Sequence, residues 1–229
     1  MAAIIRRALD RELKTERGEA PGEGSRRHAR RGERPPRSVL DWLRAPAGSF
    51  SHLDRQAAAR ATDWDPDATD WGWTLIDTRI WVLALRAPLY EAGSHLADLG
   101  SRSAEIVREA LGRDVVLFSP QLIAEIHHVT TSRARPRLPR AMVRDYLRQI
   151  LGRRNARYRP VSRARLEEAL ALAAESGIHI WDYLVVLPCR ERLDRIVTMD
   201  PHYRHPHFSG LARVDNPLGL WASEGQPLG

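Results

Sequence analysis

Gly177–Asp200 reads GIHIWDYLVVLPCRERLDRIVTMD, and it decides the fold because one compact helix-then-strand unit carries a carboxylate near each end. Asp182 opens a run in which Leu184, Val185 and Leu187 share an apolar face, as in a short buried helix, so its carboxylate falls in that helix's first turn. Pro188 should end or kink the helix. Ile196 and Val197 lead into Thr198-Met199-Asp200 and Pro201, which predicts a short buried strand delivering Asp200 to its carboxyl edge. Ligands sit at that edge in open α/β sheets. Two acids returned to one edge by a helix and a strand make half of a metal site. Within the unit, Asp194 reads as a solvated turn residue. Cys189, the single Cys of the chain, reads as packing.

Upstream, Trp73–Ala84 (WTLIDTRIWVLA) is a nearly continuous apolar run broken at Asp77-Thr78-Arg79, as for a buried parallel strand running into a loop. Asp77 thereby takes a strand-end position like that of Asp200. A helix is predicted over Ser101–Leu111 with Gly112 as its stop, followed by a strand over Asp114–Phe118. Ser119-Pro120 then supplies an N-cap and a first-turn proline. The helix that follows buries Leu122, Ile123, Ile126 and Val129, which sets Glu125 within about a turn of its start. Further helices are predicted over Ala141–Leu151 and from Ser162 through Ala174, the latter ended by Gly177. Strands are predicted at Tyr158–Val161 and Leu211–Val214. Alternating strand and helix periods argue for an α/β fold with a mainly parallel central sheet.

Composition separates this domain from what precedes it. The chain has 229 residues, 43% of them apolar, and a net charge of +7. Residues 1–46 hold 12 basic and 7 acidic side chains among Gly, Pro and Ala, too little large hydrophobe to offset the entropy of ordering. Residues 1–70 therefore read as a largely disordered N-terminal extension, with a marginal amphipathic helix at Ala2–Leu13, a helical turn at Ser38–Leu43 and an acidic loop at Asp63–Asp70. The globular domain spans 71–220, and a polar tail covers 221–229. No apolar stretch has signal-peptide or membrane-spanning length, and one Cys suits a reducing compartment, so a soluble cytoplasmic protein is expected. Residues 133–165 hold 12 Arg against the lone acid Asp145. Such a stripe beside an acidic cluster suggests a polyanion path leading to a cation site.

The acidic cluster is Asp77, Glu125, Asp182 and Asp200, all expected at strand ends or first helical turns on one edge. Two carboxylates about 5 Å apart at an effective dielectric near 20 repel by roughly 3 kcal/mol, so four require a cation or protons. Hard carboxylate oxygens select Mg²⁺ or Mn²⁺. Each acid alone reads more readily as a helix cap or a dipole partner than as a ligand; their joint placement favours a site. His202, His205 and His207 have spacings that a transition metal could use, but with no Cys nearby they read as loop. Trp73, Trp81 and Trp181 lie in apolar runs and read as core.

The strand-end Asp of LIDTRIW, the acid of SPQLIAEIHHV, the Asp of IHIWDYLVV and the Asp of IVTMDPHY resemble, in order and rough spacing, the four acidic positions of PIN-domain nucleases, nearest to VapC-like toxin ribonucleases. The resemblance covers roughly Trp73 to Leu218, LARVDNPL matching the family's last strand. It implies a three-layer α/β/α sandwich, with Mg²⁺ or Mn²⁺ bound by Asp77, Glu125, Asp182 and Asp200, and hydrolysis of RNA. It also implies a homodimer restrained by a cognate antitoxin protein. Arg133, Arg135, Arg137 and Arg140 are then the expected substrate contacts. Two positions depart from the pattern: Arg79 stands where the family has Asn or Ser, and Tyr183 replaces a small residue beside the third acid. The rival reading is a non-catalytic RNA-binding or regulatory PIN module.

Overall fold

A computed structural model describes residues 72–222; the readings made for residues 1–70 and for most of the polar tail lie outside the described residues. Five strands form one sheet: β1 (Trp73–Ile76), β2 (Val115–Phe118), β3 (Ala156–Tyr158), β4 (Arg195–Val197) and β5 (Arg213–Asp215). All neighbours are parallel, in the order β3-β2-β1-β4-β5. The chain thus adds strands to one side of β1, then reverses and adds β4 and β5 to the other. Right-handed crossovers put the helices of the first half on one face and those of the second half on the other, which is the α/β/α sandwich. The reversal leaves a topological switch between the carboxyl ends of β1 and β4, the place where such sheets bind ligands.

The helices are α1 (Thr78–Arg86), α2 (His95–Arg113), α3 (Pro120–His128), α4 (Arg140–Leu151), α5 (Arg163–Ser176), α6 (Ile180–Val186) and α7 (Pro206–Ser209). Their starts follow the sequence chemistry: Ser94, Ser119 and Ser162 each accept a hydrogen bond from a first-turn N–H. Gly177, at φ +74°, ends α5 in the left-handed conformation that favours glycine. The core runs along both sheet faces, with Leu75, Ile76, Ile80, Trp81 and Phe118 all at 0% exposure; burying each such side chain contributes about 2–3 kcal/mol. The Trp81 ring lies 5.6 Å from Phe118 and 6.4 Å from Tyr146. Its indole N–H donates to the Ile76 carbonyl at 3.0 Å. Among the described residues no helix is long and apolar enough to cross a membrane.

Several boundaries differ from the sequence reading. The Trp73–Ala84 run is strand only to Ile76; after Asp77 it becomes α1, in which every residue except Arg79 is buried. Its polar side is marked only by Arg79 and Arg86, and the unbroken Ile80–Leu85 run between them looks like strand. Helix α2 extends from Ser94's cap to Arg113, and Gly112 lies inside it. Gly100, also inside it, is required by packing, because a Cβ there would come within 2.9 Å of the Ala87 Cα. The strand expected at Tyr158–Val161 is instead Ala156–Tyr158, stopping before Pro160, which has no N–H for the ladder. β4 stops at Val197 and β5 spans Arg213–Asp215. Trp181 is not core: it is 48% exposed and stacks on His179 at 5.9 Å, because the inward side of the short α6 is taken by Tyr183, Leu184 and Val185. Pro188 follows the end of α6 as expected, and buried Cys189 has its thiol pushed up to about 12 by burial.

Candidate active site

Asp77 is the first residue past β1. Its N–H extends the ladder to the Val197 carbonyl at 2.9 Å, which fixes it at the switch between β1 and β4. Its side chain N-caps α1, Oδ1 accepting from the Thr78 N–H at 2.7 Å, and Oδ2 accepts from the Thr198 hydroxyl at 3.1 Å. The residue is only 7% exposed. Burial, reinforced by the charges of Asp200, Glu125 and Asp182 and opposed by the Thr198 hydrogen bond, pushes its carboxyl up to about 7.

The other three acids come from different elements. Glu125 projects from the second turn of α3 rather than the first, and there Oε2 accepts from the Thr78 hydroxyl and Oε1 from the Gln121 amide, both at 2.7 Å. Asp182 lies in the first turn of α6, with Oδ2 3.1 Å from His202 Nδ1. Its carboxyl is pushed up to about 6, by burial first and by Asp200 next, with Glu125 adding to the rise and His202 opposing it. Asp200 lies three residues beyond β4 rather than at its last position. Its Oδ1 accepts from the His202 N–H at 2.9 Å and stands 3.5 Å from His202 Nδ1. Its own N–H donates to the Thr198 hydroxyl at 2.9 Å, so Thr198 ties Asp200 to Asp77.

The structure therefore brings all four sequence-predicted acids into one electrostatic cluster at the switch. Tyr203, buried beneath them, has its phenol raised well above the ordinary value by burial and then by Asp77, Asp182, Glu125 and Asp200 in turn. Among the described residues no three His, Cys, Asp or Glu side chains are drawn closely enough together to hold a metal ion as they stand. Electrostatic reach exceeds ligand reach, and here each carboxylate has an oxygen occupied by a protein donor.

Residues that sequence reasoning missed are the donors Thr78, Gln121, Thr198 and His202, together with the buried Tyr203. The signal for two of them was proximity, since Thr78 directly follows Asp77 and His202 lies two residues after Asp200. His205 and His207 go elsewhere. His205 caps α7, and His207 Nδ1 is 2.8 Å from the Tyr183 hydroxyl, so the three loop histidines do not converge. Tyr183 points away from the acids; its hydroxyl also meets Ser176 Oγ at 2.8 Å and its ring stacks on Phe208 at 4.8 Å. The hydrogen bond that Arg79 cannot provide to Asp77 as Asn or Ser would is supplied by Thr198 from the neighbouring strand.

Arg133, Arg135, Arg137 and Arg140 are exposed, on the loop after α3 and at the start of α4. Arg135 already donates to the Ser132 and Ala134 carbonyls at 3.2 and 3.4 Å. The far end of the Arg run finds acidic partners beyond Asp145, contrary to the sequence expectation: Arg163 pairs with Glu167, and Arg165 with Glu168 and Glu191, each at 2.8 Å. Asp194 is exposed as expected, but it is not merely solvated: Oδ2 accepts from the Trp73 N–H at 2.8 Å.

Compared with known proteins, the chain matches no family model and no curated protein. Among solved structures it is similar to the crystal structure of VapBC2 from Rickettsia felis bound to a DNA fragment from their promoter, with 14% identity, 63% of this chain and 98% of that chain covered, and a TM-score of 0.42.

Proposed function

We propose that the chain is a metal-dependent endoribonuclease that hydrolyses RNA phosphodiester bonds. The observation that carries this reading is the gathering of Asp77, Glu125, Asp182 and Asp200 at the β1–β4 switch, with like charges acting on a buried carboxyl. A donor set made only of hard oxygens, short of positive charge, fits Mg²⁺ or Mn²⁺. Asp77 and Asp182 would hold the principal ion, with Glu125 and Asp200 completing the site and orienting the attacking water. The ion supplies a lowered pKa for bound water and stabilises charge developing on the phosphodiester. Thr78, Thr198 and Gln121 hold the carboxylates in their rotamers, and the near-complete burial of Asp77 limits the water around it.

The finer reading, drawn from the four-acid resemblance, is that the chain is the toxin of a type II toxin–antitoxin pair, a homodimer bound by an antitoxin. The alternative is a non-catalytic RNA-binding module. Incubation of the purified chain with a mixed RNA pool separates the two. Cleavage should require Mn²⁺ or Mg²⁺, stop with EDTA, and fall by about a thousandfold in Asp182→Asn, the upper range for loss of one electrostatic contributor to a transition state. RNA that is bound but left intact at every metal concentration would favour the module.

A further inference from the structure

A concave feature lies outside the acid cluster. Helices α3 and α4 and the end of β3 enclose a groove of about 870 Å³. Its apolar surface comes from Ile123, Leu147 and Leu151, and one side is a rail of Arg140, Arg144 and Arg148. These arginines recur every fourth residue on α4, so they stand about 6 Å apart along one helix face, a step close to one nucleotide of extended single strand. Arg140 has no ion pair or side-chain hydrogen bond among the described residues, and Arg144 is held only by its exposed neighbour Asp145 at 2.8 Å, a pair of little stabilising value. The groove ends at Tyr158, which is 53% exposed, a large aromatic left open beside three cations.

The register ties this groove to the acids. Tyr158 pairs with Phe118 in β2, and β2 pairs with β1 so that Phe118 falls level with Ile76, the residue before Asp77. Tyr158 and Asp77 therefore lie at the same carboxyl edge, two strands apart, which is about 10 Å. An apolar floor with a cationic rail and one open aromatic does not suit a rigid duplex, whose bases are stacked away. It suits a single strand whose phosphates meet Arg and whose bases stack on a ring.

We propose that this groove binds single-stranded RNA, with phosphates on Arg140, Arg144 and Arg148 and a base stacked on Tyr158, about two nucleotides from the acid cluster. The inference rests on the nuclease reading for its direction, and it moves the expected substrate path from the Arg133–Arg137 loop onto the face of α4. The test is fluorescence anisotropy of the full chain with a labelled, unstructured 12-nucleotide RNA in EDTA, so that no cleavage occurs. Replacing Arg140, Arg144 and Arg148 together by Gln should weaken binding at least tenfold and make the slope of log Kd against log salt shallower by about 2, from roughly 0.7 per contact. Tyr158→Ala should weaken binding about fivefold or more while Tyr158→Phe retains it, and neither should alter binding of a duplex of equal length.

Unchanged affinity and salt slope in the triple variant would overturn the proposal. So would a triple variant that loses only self-association in sedimentation, because the groove would then belong to a second copy of this chain. The nuclease reading fails separately: if the wild-type chain never cleaves RNA with metal but these variants still lose RNA binding, the groove stands and the hydrolase does not.

Discussion

The two ends of the central strands β1, β2 and β4 treat their carboxylates in opposite ways. At the amino edge Asp114, just before β2, accepts from Arg195 at 2.7 Å and from the Thr74 hydroxyl at 2.7 Å, and Arg195 Nε reaches the same hydroxyl at 3.3 Å. Charge there is balanced within the fold, as suits a partly buried ion pair. At the carboxyl edge the charges acting on Asp77 are all negative, and its two hydrogen-bond donors, the Thr78 N–H and the Thr198 hydroxyl, are both neutral. One end is closed for stability while the other is left in need of a cation or protons, which is how a ligand site departs from a structural one.

The sharpest way to break that contrast is to remove the excess charge. In the folded chain the Asp77 carboxyl titrates at about 7 rather than 3.8, so the folded state holds that proton more tightly than the unfolded one. Stability of the metal-free protein from this group is fully present below pH 3.8 and is lost as pH rises toward 7, at about 1.4 kcal/mol per unit. Asp77→Asn keeps the cap acceptor for Thr78 and abolishes the loss. Urea unfolding in EDTA should show the two proteins nearly equal near pH 4 and the variant more stable by about 4 kcal/mol above pH 7. A gap that does not grow with pH would mean that the carboxyl edge is as balanced as the amino edge.

The matching change at the other edge should behave oppositely. Asp114→Ala leaves the buried Thr74 hydroxyl without its acceptor and the Arg195 guanidinium with only the longer pair to Asp215 at 3.7 Å, and should cost about 2 kcal/mol, in the range for hydrogen bonds to charged groups. Cleavage by the folded variant should remain within about twofold of wild type, since no residue at that edge touches the cluster. A large activity loss with stability intact would erase the distinction between the edges.

The sequence made the acids legible and left their supports obscure, for physical reasons. Asp77, Asp182 and Asp200 could be read because strand exits and a first helical turn follow from apolar periodicity, and Glu125 because Ser119-Pro120 starts its helix at the end of β2; the parallel sheet carries these positions to one edge. Thr198 could not, because a hydroxyl's partner across 121 residues depends on the β1–β4 pairing, which no local pattern encodes. Helix α1 was hidden by its unbroken Ile80–Leu85 run, which continues the apolar stretch of β1. The pairing of Arg165 with Glu191 was hidden likewise, because α5 and the turn after α6 meet only in three dimensions.

Thr198 offers a subtler test of the carboxyl edge. Thr198→Val removes the hydroxyl that holds Asp77 and receives the Asp200 N–H. The Asp77 carboxyl should rise further, and Mn²⁺ affinity, read by titration, should fall about tenfold, the low end for loss of a group that orients a metal ligand. Thr198→Ser should restore it. Equal affinity in all three proteins would assign Thr198 to packing alone.

The smallest effect is expected at Tyr183, which the sequence places beside the third acid and the structure turns away from it. The side chain is fully buried, its ring stacks on Phe208, and its hydroxyl is shared with Ser176 and His207. Tyr183→Phe removes only those hydrogen bonds, so it should cost about 1 kcal/mol of stability and leave metal affinity and cleavage within about twofold. Adjacency to Asp182 is then a property of the chain and not of the site, because successive residues of a helix point about 100° apart and α6 presents Asp182 to the cluster while Tyr183 enters the core. A tenfold loss of cleavage in Tyr183→Phe, with the fold intact, would show that the α5–α7 packing beneath it sets the position of Asp182 and that the carboxyl edge extends deeper into the domain than its charges do.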